Sequence, residues 1–176
     1  MKRLTAILLS ILFLCSLSSG VSADSSAQNL SAANAIKIAD NASTRYWNAL
    51  HGYISRSCLQ KSFHYKGMEY SYICPEFNTK DKLVKYLSAT FTISAIQKGL
   101  TNYKYITYKG NLARPVGDGY GMLEWKKAKA KLVYQRSNVR SYLFTVPDVE
   151  GGSVKRTVTF YKTSSGWKVN KFDAVQ

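Results

Sequence analysis

Cys58 is the side chain in this sequence with the greatest capacity for nucleophilic chemistry. His51 and His64 lie near it in the sequence, and a thiol beside an imidazole is the pairing from which cysteine peptidases generate their nucleophile. Such a site also needs a third group that orients the imidazole, and no motif around Cys58 or Cys74 supplies one. A papain-like or NlpC-type nucleophile at Cys58 is therefore one alternative for these cysteines, and a structural bridge is the other.

Asp118 and Glu124 lie close enough in the sequence to form a carboxylate pair of the kind that cleaves glycosidic bonds. Acids spaced in this way around a loop are usually unrelated. The sequence also lacks the common catalytic and ligand spacings, such as His-x-x-His, Cys-x-x-Cys and Gly-x-Ser-x-Gly, and it lacks a phosphate-binding glycine motif. We therefore predict a protein that is not an enzyme and that carries no metal or cofactor.

The first 23 residues predict export. Lys2-Arg3 is a basic start, Ala6 to Leu14 is an apolar run too short to span a bilayer, and Val21-Ser22-Ala23 is a small-residue cleavage site. We expect residues 1–23 to be a secretory signal peptide and residues 24–176 to form a single secreted domain with no transmembrane segment. This length is sufficient for one hydrophobic core.

A disulfide between Cys58 and Cys74 is the second alternative for the cysteines. Between them, Ser62 to Tyr72 alternates small or polar residues with aromatic ones on both sides of Lys66-Gly67, as a β-hairpin does. Such a hairpin places the two cysteines opposite each other. An even number of cysteines in an exported chain favours a bridge, and closing a loop of this length contributes about 3 kcal/mol to the free energy of unfolding.

A glycine-rich loop is expected between two strands, Tyr103–Tyr108 and one from about Leu123 to Tyr134. Loops held by a scaffold at both ends are common binding sites, and glycines allow the backbone to approach a partner closely, whereas proline limits the movement of the loop. A plain surface turn is the alternative. The candidate partner-binding residues are Arg114, Pro115, Val116, Gly117, Asp118, Gly119, Tyr120 and Gly121.

Basic residues dominate the charge of the chain. Of 25 basic and 10 acidic residues, removal of the signal peptide takes away Lys2 and Arg3 alone, which leaves a net charge of +13. Outside a cell, such a surface favours anionic wall polymers or lipids as partners rather than nucleic acid; the alternative is that the charge only keeps the protein soluble. The predicted basic surface comprises Lys127, Lys129, Lys131, Arg136 and Arg140.

The periodicity of apolar residues predicts helices first and strands afterwards. Spacings of three and four predict helices over Ser31–Leu50, with Gly52 past its end, over Thr79–Ala89, and over Thr92–Lys98, ended by Gly99. From Tyr103 the period changes to two, with turns at Ser137-Asn138, Gly151-Gly152 and Ser164-Ser165-Gly166. This order predicts an α+β fold with N-terminal helices packed on an antiparallel β-sheet meander.

Several motifs along the chain form a recognisable set. They are the stretch from Tyr108 to Pro115, Asp118-Gly119, Leu123 to Ala128, Arg140-Ser141-Tyr142 with Thr145-Val146-Pro147, the Phe63-x-Tyr65-x-Gly67-x-x-Tyr70 hairpin and Thr79-Lys80. Together they resemble the IseA family of secreted inhibitors of cell-wall DL-endopeptidases, or autolysins. The resemblance covers nearly the whole chain after the signal peptide. In this chain the loop has a single acid, Asp118, where the family's loop is more acidic, and Cys58 and Cys74 look like additions.

The resemblance implies a bacterial, cell-wall-associated protein that restrains NlpC-type autolysins at cell separation with a loop that enters the catalytic cleft. The stretch that matches this loop is Arg114 to Gly121. Two other classes compete: a basic polyanion-binding module without inhibitory activity, and an enzyme with a nuclear-transport-factor-like fold, whose sequences often end in a turn such as Ser165-Gly166-Trp167-Lys168. That fold hosts both enzymes and inert domains, so it indicates little about function.

Overall fold

The computed structural model describes residues 29–55, 58–117, 119 and 121–176. This part of the chain contains three α-helices and eight β-strands in two antiparallel sheets, which confirms the predicted α+β class. The helices are α1 (Ala32–His51), α2 (Lys80–Leu87) and α3 (Ile93–Asn102). The strands are β1 (Ser62–Tyr65), β2 (Met68–Tyr72), β3 (Ile106–Tyr108), β4 (Asn111–Pro115), β5 (Lys129–Arg136), β6 (Val139–Pro147), β7 (Ser153–Thr163) and β8 (Gly166–Val169). The predicted signal peptide lies outside the described residues.

The long helix α1 begins and ends where the sequence predicts. The Ser31 side chain accepts a hydrogen bond from the Asn34 N–H at its start, and Gly52 takes a left-handed conformation (φ 78°) past its end. One face of α1 is buried in the core, at Ala35, Ala39, Ala42, Tyr46 and Ala49. Small residues on this face allow close packing, and the large rings of α1 lie near its C-terminal end.

The helix α3 is longer than predicted, because Gly99 does not end it. Gly99 lies inside α3 against the ring of Phe172, so close that a Cβ would stand 2.4 Å from Phe172 Cγ. Glycine serves here as a packing residue rather than as a helix stop. The helix continues to Asn102, and for this reason the strand predicted from Tyr103 begins only at Ile106. The prediction for α2 is confirmed, with Thr79 as its cap.

The first sheet has the strand order β1-β2-β4-β3. Its β1–β2 hairpin turns at Lys66-Gly67, as predicted, with both residues at positive φ. Cys58 and Cys74 form a disulfide across the base of this hairpin, with Cα atoms 5.9 Å apart. The predicted bridge is confirmed, and the hypothesis of a nucleophile at Cys58 is wrong, because an oxidised sulfur cannot act as a thiolate.

The second sheet is a meander with the order β5-β6-β7-β8, and its strands turn where the sequence predicts. The strand predicted from about Leu123 starts later, at Lys129. Leu123 makes an isolated bridge to Asp148, and Trp125 then begins a short 3₁₀ turn, Trp125–Lys127. Trp125 is buried, and its indole N–H donates to the Val175 carbonyl (3.1 Å), which draws this segment into the core instead of the sheet.

The core lies between α1 and the second sheet. Aromatic rings from β6 and β7 pack beneath the helix, with Phe144 within 5.4 Å of Trp125 and 6.3 Å of Phe160 between ring centroids. Phe172 fills the space between α1 and α3. Among the described residues, no helix is long and apolar enough to cross a membrane.

Candidate functional site

The first part of the candidate loop is a β-strand. Arg114 and Pro115 belong to β4 and pair with Ser71 and Tyr70 of β2, and the Val116 N–H donates to the Glu69 carbonyl (2.9 Å). Sequence reasoning missed β4, because it consists of only five residues that lack a clear alternation. The irregular part of the loop therefore begins after Val116, and a central strand of the first sheet holds its start.

Gly119 and Gly121, in the second half of the loop, contact the C-terminal turn of α1. The ring nitrogen Nε2 of His51 lies 3.1 Å from the Gly119 carbonyl oxygen. Two glycines lie against the indole of Trp47: a Cβ on Gly119 would be 3.1 Å from Cζ3, and a Cβ on Gly121 would be 2.7 Å from Nε1. The glycines are needed here because the backbone passes too close to the indole for a side chain.

Contacts between neighbouring aromatic rings stabilise this turn of α1. The His51 ring stacks on Tyr53, with centroids 5.5 Å apart, and Trp47 contacts both His51 (5.9 Å) and the buried Tyr46 (5.2 Å). Sequence reasoning missed Trp47 as a loop anchor. The available signal was the position of Trp47, because its large ring lies next to the buried face of α1 rather than on it.

Asp118 and Tyr120, the two loop residues with the most distinctive side chains, lie outside the described residues. Glu124, considered above as a partner of Asp118 in catalysis, forms an ion pair with Lys127 (2.7 Å). Val116 and Met122 flank the irregular part of the loop and are 44% and 40% exposed.

The predicted basic surface lies on β5, an edge strand of the second sheet. Lys129 and Lys131 are exposed on one side of β5, with Lys127 just before it and Arg136 at its end. Lys127 is partly neutralised by its ion pair with Glu124. The same strand exposes apolar side chains, with Leu132 at 41%, Val133 at 51% and Tyr134 at 49%.

Arg140 does not belong to this surface. It is buried, with its guanidinium 5.4 Å from the Trp167 ring centroid. It donates to the carbonyls of Arg136 and Val139 and to Asn29 Oδ1 (3.2 Å). The prediction of an exposed Arg140 is wrong because the turn between β5 and β6 folds the side chain inward, where it satisfies these carbonyl groups.

Comparison with known proteins identifies the family. Residues 26–174 match the model of the family described as IseA DL-endopeptidase inhibitor. This chain belongs to the IseA DL-endopeptidase inhibitor family. It is also 39% identical over 180 residues to a Bacillus subtilis (strain 168) protein described as uncharacterized protein YoeB, with 99% of each chain covered.

Membership of the IseA family supports an endopeptidase inhibitor role and places the chain among inhibitors rather than enzymes. The resemblance drawn from the sequence motifs is thereby confirmed. The matched range contains both the strand β4 that starts the loop and the helix α1 that anchors its return. An inhibitor needs a surface that fits its enzyme, and the loop and the basic strand β5 are the two candidates for this IseA-family chain.

Proposed function

We propose that this protein is a secreted inhibitor of NlpC-type cell-wall DL-endopeptidases, which blocks the catalytic cleft with the loop Arg114–Gly121. The observation that supports the loop most strongly is its attachment at both ends, to β2 through β4 and to His51 and Trp47 of α1. A loop already held in place loses less conformational entropy on binding than a free peptide, so a small contact surface can bind tightly.

Two side chains supply the specific contacts in this proposal. The carboxylate of Asp118 accepts hydrogen bonds from donor groups in the peptidase cleft, and the ring of Tyr120 is the aromatic anchor that becomes buried on binding. The exposed Val116 and Met122 extend the apolar contact around them. The glycines leave few side chains in this stretch, so that the backbone itself can enter a narrow cleft.

Secretion and wall association complete the proposal. Residues 1–23 direct export, the remaining residues form a single inhibitor domain, and the basic surface of Lys127, Lys129, Lys131 and Arg136 concentrates the inhibitor near anionic wall polymers. Dissolved salt screens the attraction between exposed charges. The distance over which two such charges attract each other falls from about 30 Å at 0.01 M ionic strength to about 3 Å at 1 M. The alternative function, a polyanion-binding module without inhibition, would depend on these lysines and not on the loop.

An inhibition assay at two salt concentrations tests the proposal. A purified NlpC-type DL-endopeptidase is mixed with the secreted protein, and peptide release from soluble wall fragments is followed at low and high salt. The proposal predicts inhibition at both concentrations, because a loop buried in a cleft is screened little. Absence of inhibition, together with salt-sensitive binding to wall polymers, would favour the alternative.

A further inference from the structure

The strand β5 is an open edge of the second sheet. It pairs with β6 alone, and in the described part of the chain its backbone makes no hydrogen bond to any other element. All of its residues except Ala130 are exposed. Alternate residues of an edge strand direct their backbone N–H and C=O groups away from the sheet. The strand β5 therefore presents a row of backbone donors and acceptors to solvent.

The middle of this edge is apolar. Leu132, Val133 and Tyr134 follow one another in the sequence, and their exposed fractions lie between 41% and 51%. Large apolar side chains on an unpaired edge are usually avoided, because such an edge can pair with another chain. Their presence on β5 suits this strand to receive a partner.

The charged side chains of β5 are all positive. Lys129, Lys131 and Arg136 are exposed on the strand, and the strand contains no acid. Lys127, just before β5, pairs with Glu124, whereas neither Lys129 nor Lys131 forms an ion pair with another described residue. The apolar segment is thus flanked by positive charge at both ends.

These charges decide which chain can pair with β5. Lysines and bulges often protect an edge strand, and β5 has a bulge at Val133, after the regular run Lys129–Leu132. A second copy of this chain would bring like charges together, which destabilises a strand pair. An acidic strand meets no such repulsion, because a carboxylate opposite a lysine stabilises the pair. The edge is therefore protected against its own kind and open to an acidic chain.

We propose that β5 binds an extended acidic segment of a partner protein, which joins the second sheet as a further strand. In this mode of recognition, backbone hydrogen bonds supply affinity and alternate side chains supply specificity. Acidic side chains on one face of the added strand pair with Lys129 and Lys131, and apolar side chains on the other face lie beside Leu132. This inference goes beyond the proposed function, since it involves neither the loop nor the peptidase cleft.

The test is an NMR titration of the secreted protein with the peptide acetyl-Glu-Val-Glu-Val-Glu-Val-Glu-amide. Two further peptides carry N-methyl groups, one on its valines and the other on its glutamates. The expected result is a saturable shift of the β5 amide resonances with the parent peptide. One methylated peptide should bind at least about tenfold more weakly than the other, because only alternate N–H groups of an added strand face β5.

Two results of this titration would overturn the proposal. One is the absence of a saturable shift with the parent peptide. The other is equal affinity for both methylated peptides and the parent, which would indicate ionic adsorption to the lysines, as a wall polymer without a peptide backbone would show. The measurement contains no peptidase, so this proposal and the proposed function can fail independently.

Charge reversal locates the binding at the edge. Lys129→Glu/Lys131→Glu should weaken binding of the acidic peptide at least about tenfold. Lys85→Glu/Lys98→Glu is the matched control, because it changes the net charge equally at exposed positions of α2 and α3, and its loss should be much smaller. Circular dichroism checks that both variants fold. An equal loss in the two variants would mean attraction by net charge alone and would overturn the proposal.

Discussion

The indole of Trp47 lies so close to Gly121 that a Cβ on that glycine would stand 2.7 Å from Nε1. The loop passes Gly119 as well as Gly121 across this ring, and His51, one turn further along α1, lies 3.1 Å from the Gly119 carbonyl oxygen. The position of the loop is therefore coupled to the packing of α1. This contact is the basis for a direct test of whether loop position matters for inhibition.

Gly121→Ala should weaken inhibition more than Gly117→Ala does. The added methyl group on Gly121 must displace either the loop or Trp47, at a cost of about 1–3 kcal/mol, which corresponds to about 5- to 150-fold in an equilibrium constant. A Cβ on Gly117 meets no described atom within 4 Å. The two inhibition constants, measured side by side, check this prediction, and equal values for both variants would contradict it.

Local signals made part of the fold predictable from the sequence. The capping side chain of Ser31, the left-handed Gly52 and the Lys66-Gly67 turn each act over a few residues, and each lies where predicted. The prediction that Gly99 ends α3 is wrong because the role of Gly99 depends on Phe172, which is distant in the sequence. A pattern of single residues does not encode such a contact.

The candidate site was predictable only in its outline. The glycines indicated the loop, but its contacts with Trp47 and His51 are tertiary and leave no periodic pattern. The strand β4 was missed because five residues are too few to show a period. The burial of Arg140 depends on the geometry of the β5–β6 turn, which charge counting ignores. Tertiary packing, more than local propensity, positions the site.

Gly99→Ala should destabilise the protein although alanine favours helices. Helix propensity alone would stabilise α3 by about 1 kcal/mol. The new Cβ would, however, stand 2.4 Å from Phe172 Cγ in a region where the ring is buried, and overpacking of this kind costs about 1–3 kcal/mol. Urea unfolding should show a lower midpoint for the variant. A higher midpoint would mean that the ring moves freely out of the way.

Loss of the disulfide should lower stability without removing the fold. The Cys58–Cys74 bridge spans a sequence separation of 16 residues, for which the chain-entropy model gives about 3 kcal/mol. The Cys58→Ala/Cys74→Ala variant should unfold at lower urea concentration by about that free energy. Reduction of the parent protein should have a similar effect and should leave the double variant unaffected. A double variant as stable as the oxidised parent would refute the structural role.

Replacement of the β5 lysines should reduce retention by the wall rather than inhibition. Lys127→Gln/Lys129→Gln/Lys131→Gln removes three exposed charges, one of which already pairs with Glu124. Binding to isolated walls should weaken at low salt, and the difference from the parent should vanish at high salt, where screening removes the attraction. A loss that persists in high salt would indicate a specific contact instead.

The central claim, that Arg114–Gly121 is the inhibitory surface, is tested most directly by the inhibition constant of Asp118→Ala/Tyr120→Ala. The measurement uses a purified NlpC-type DL-endopeptidase and soluble wall fragments, with the triple lysine variant as the matched control. Truncation of a central interface residue costs about 2 kcal/mol or more, so the loop variant should inhibit at least about 30-fold less well, with an unchanged urea midpoint. Inhibition by the loop variant equal to that of the parent, with loss in the lysine variant, would contradict the claim.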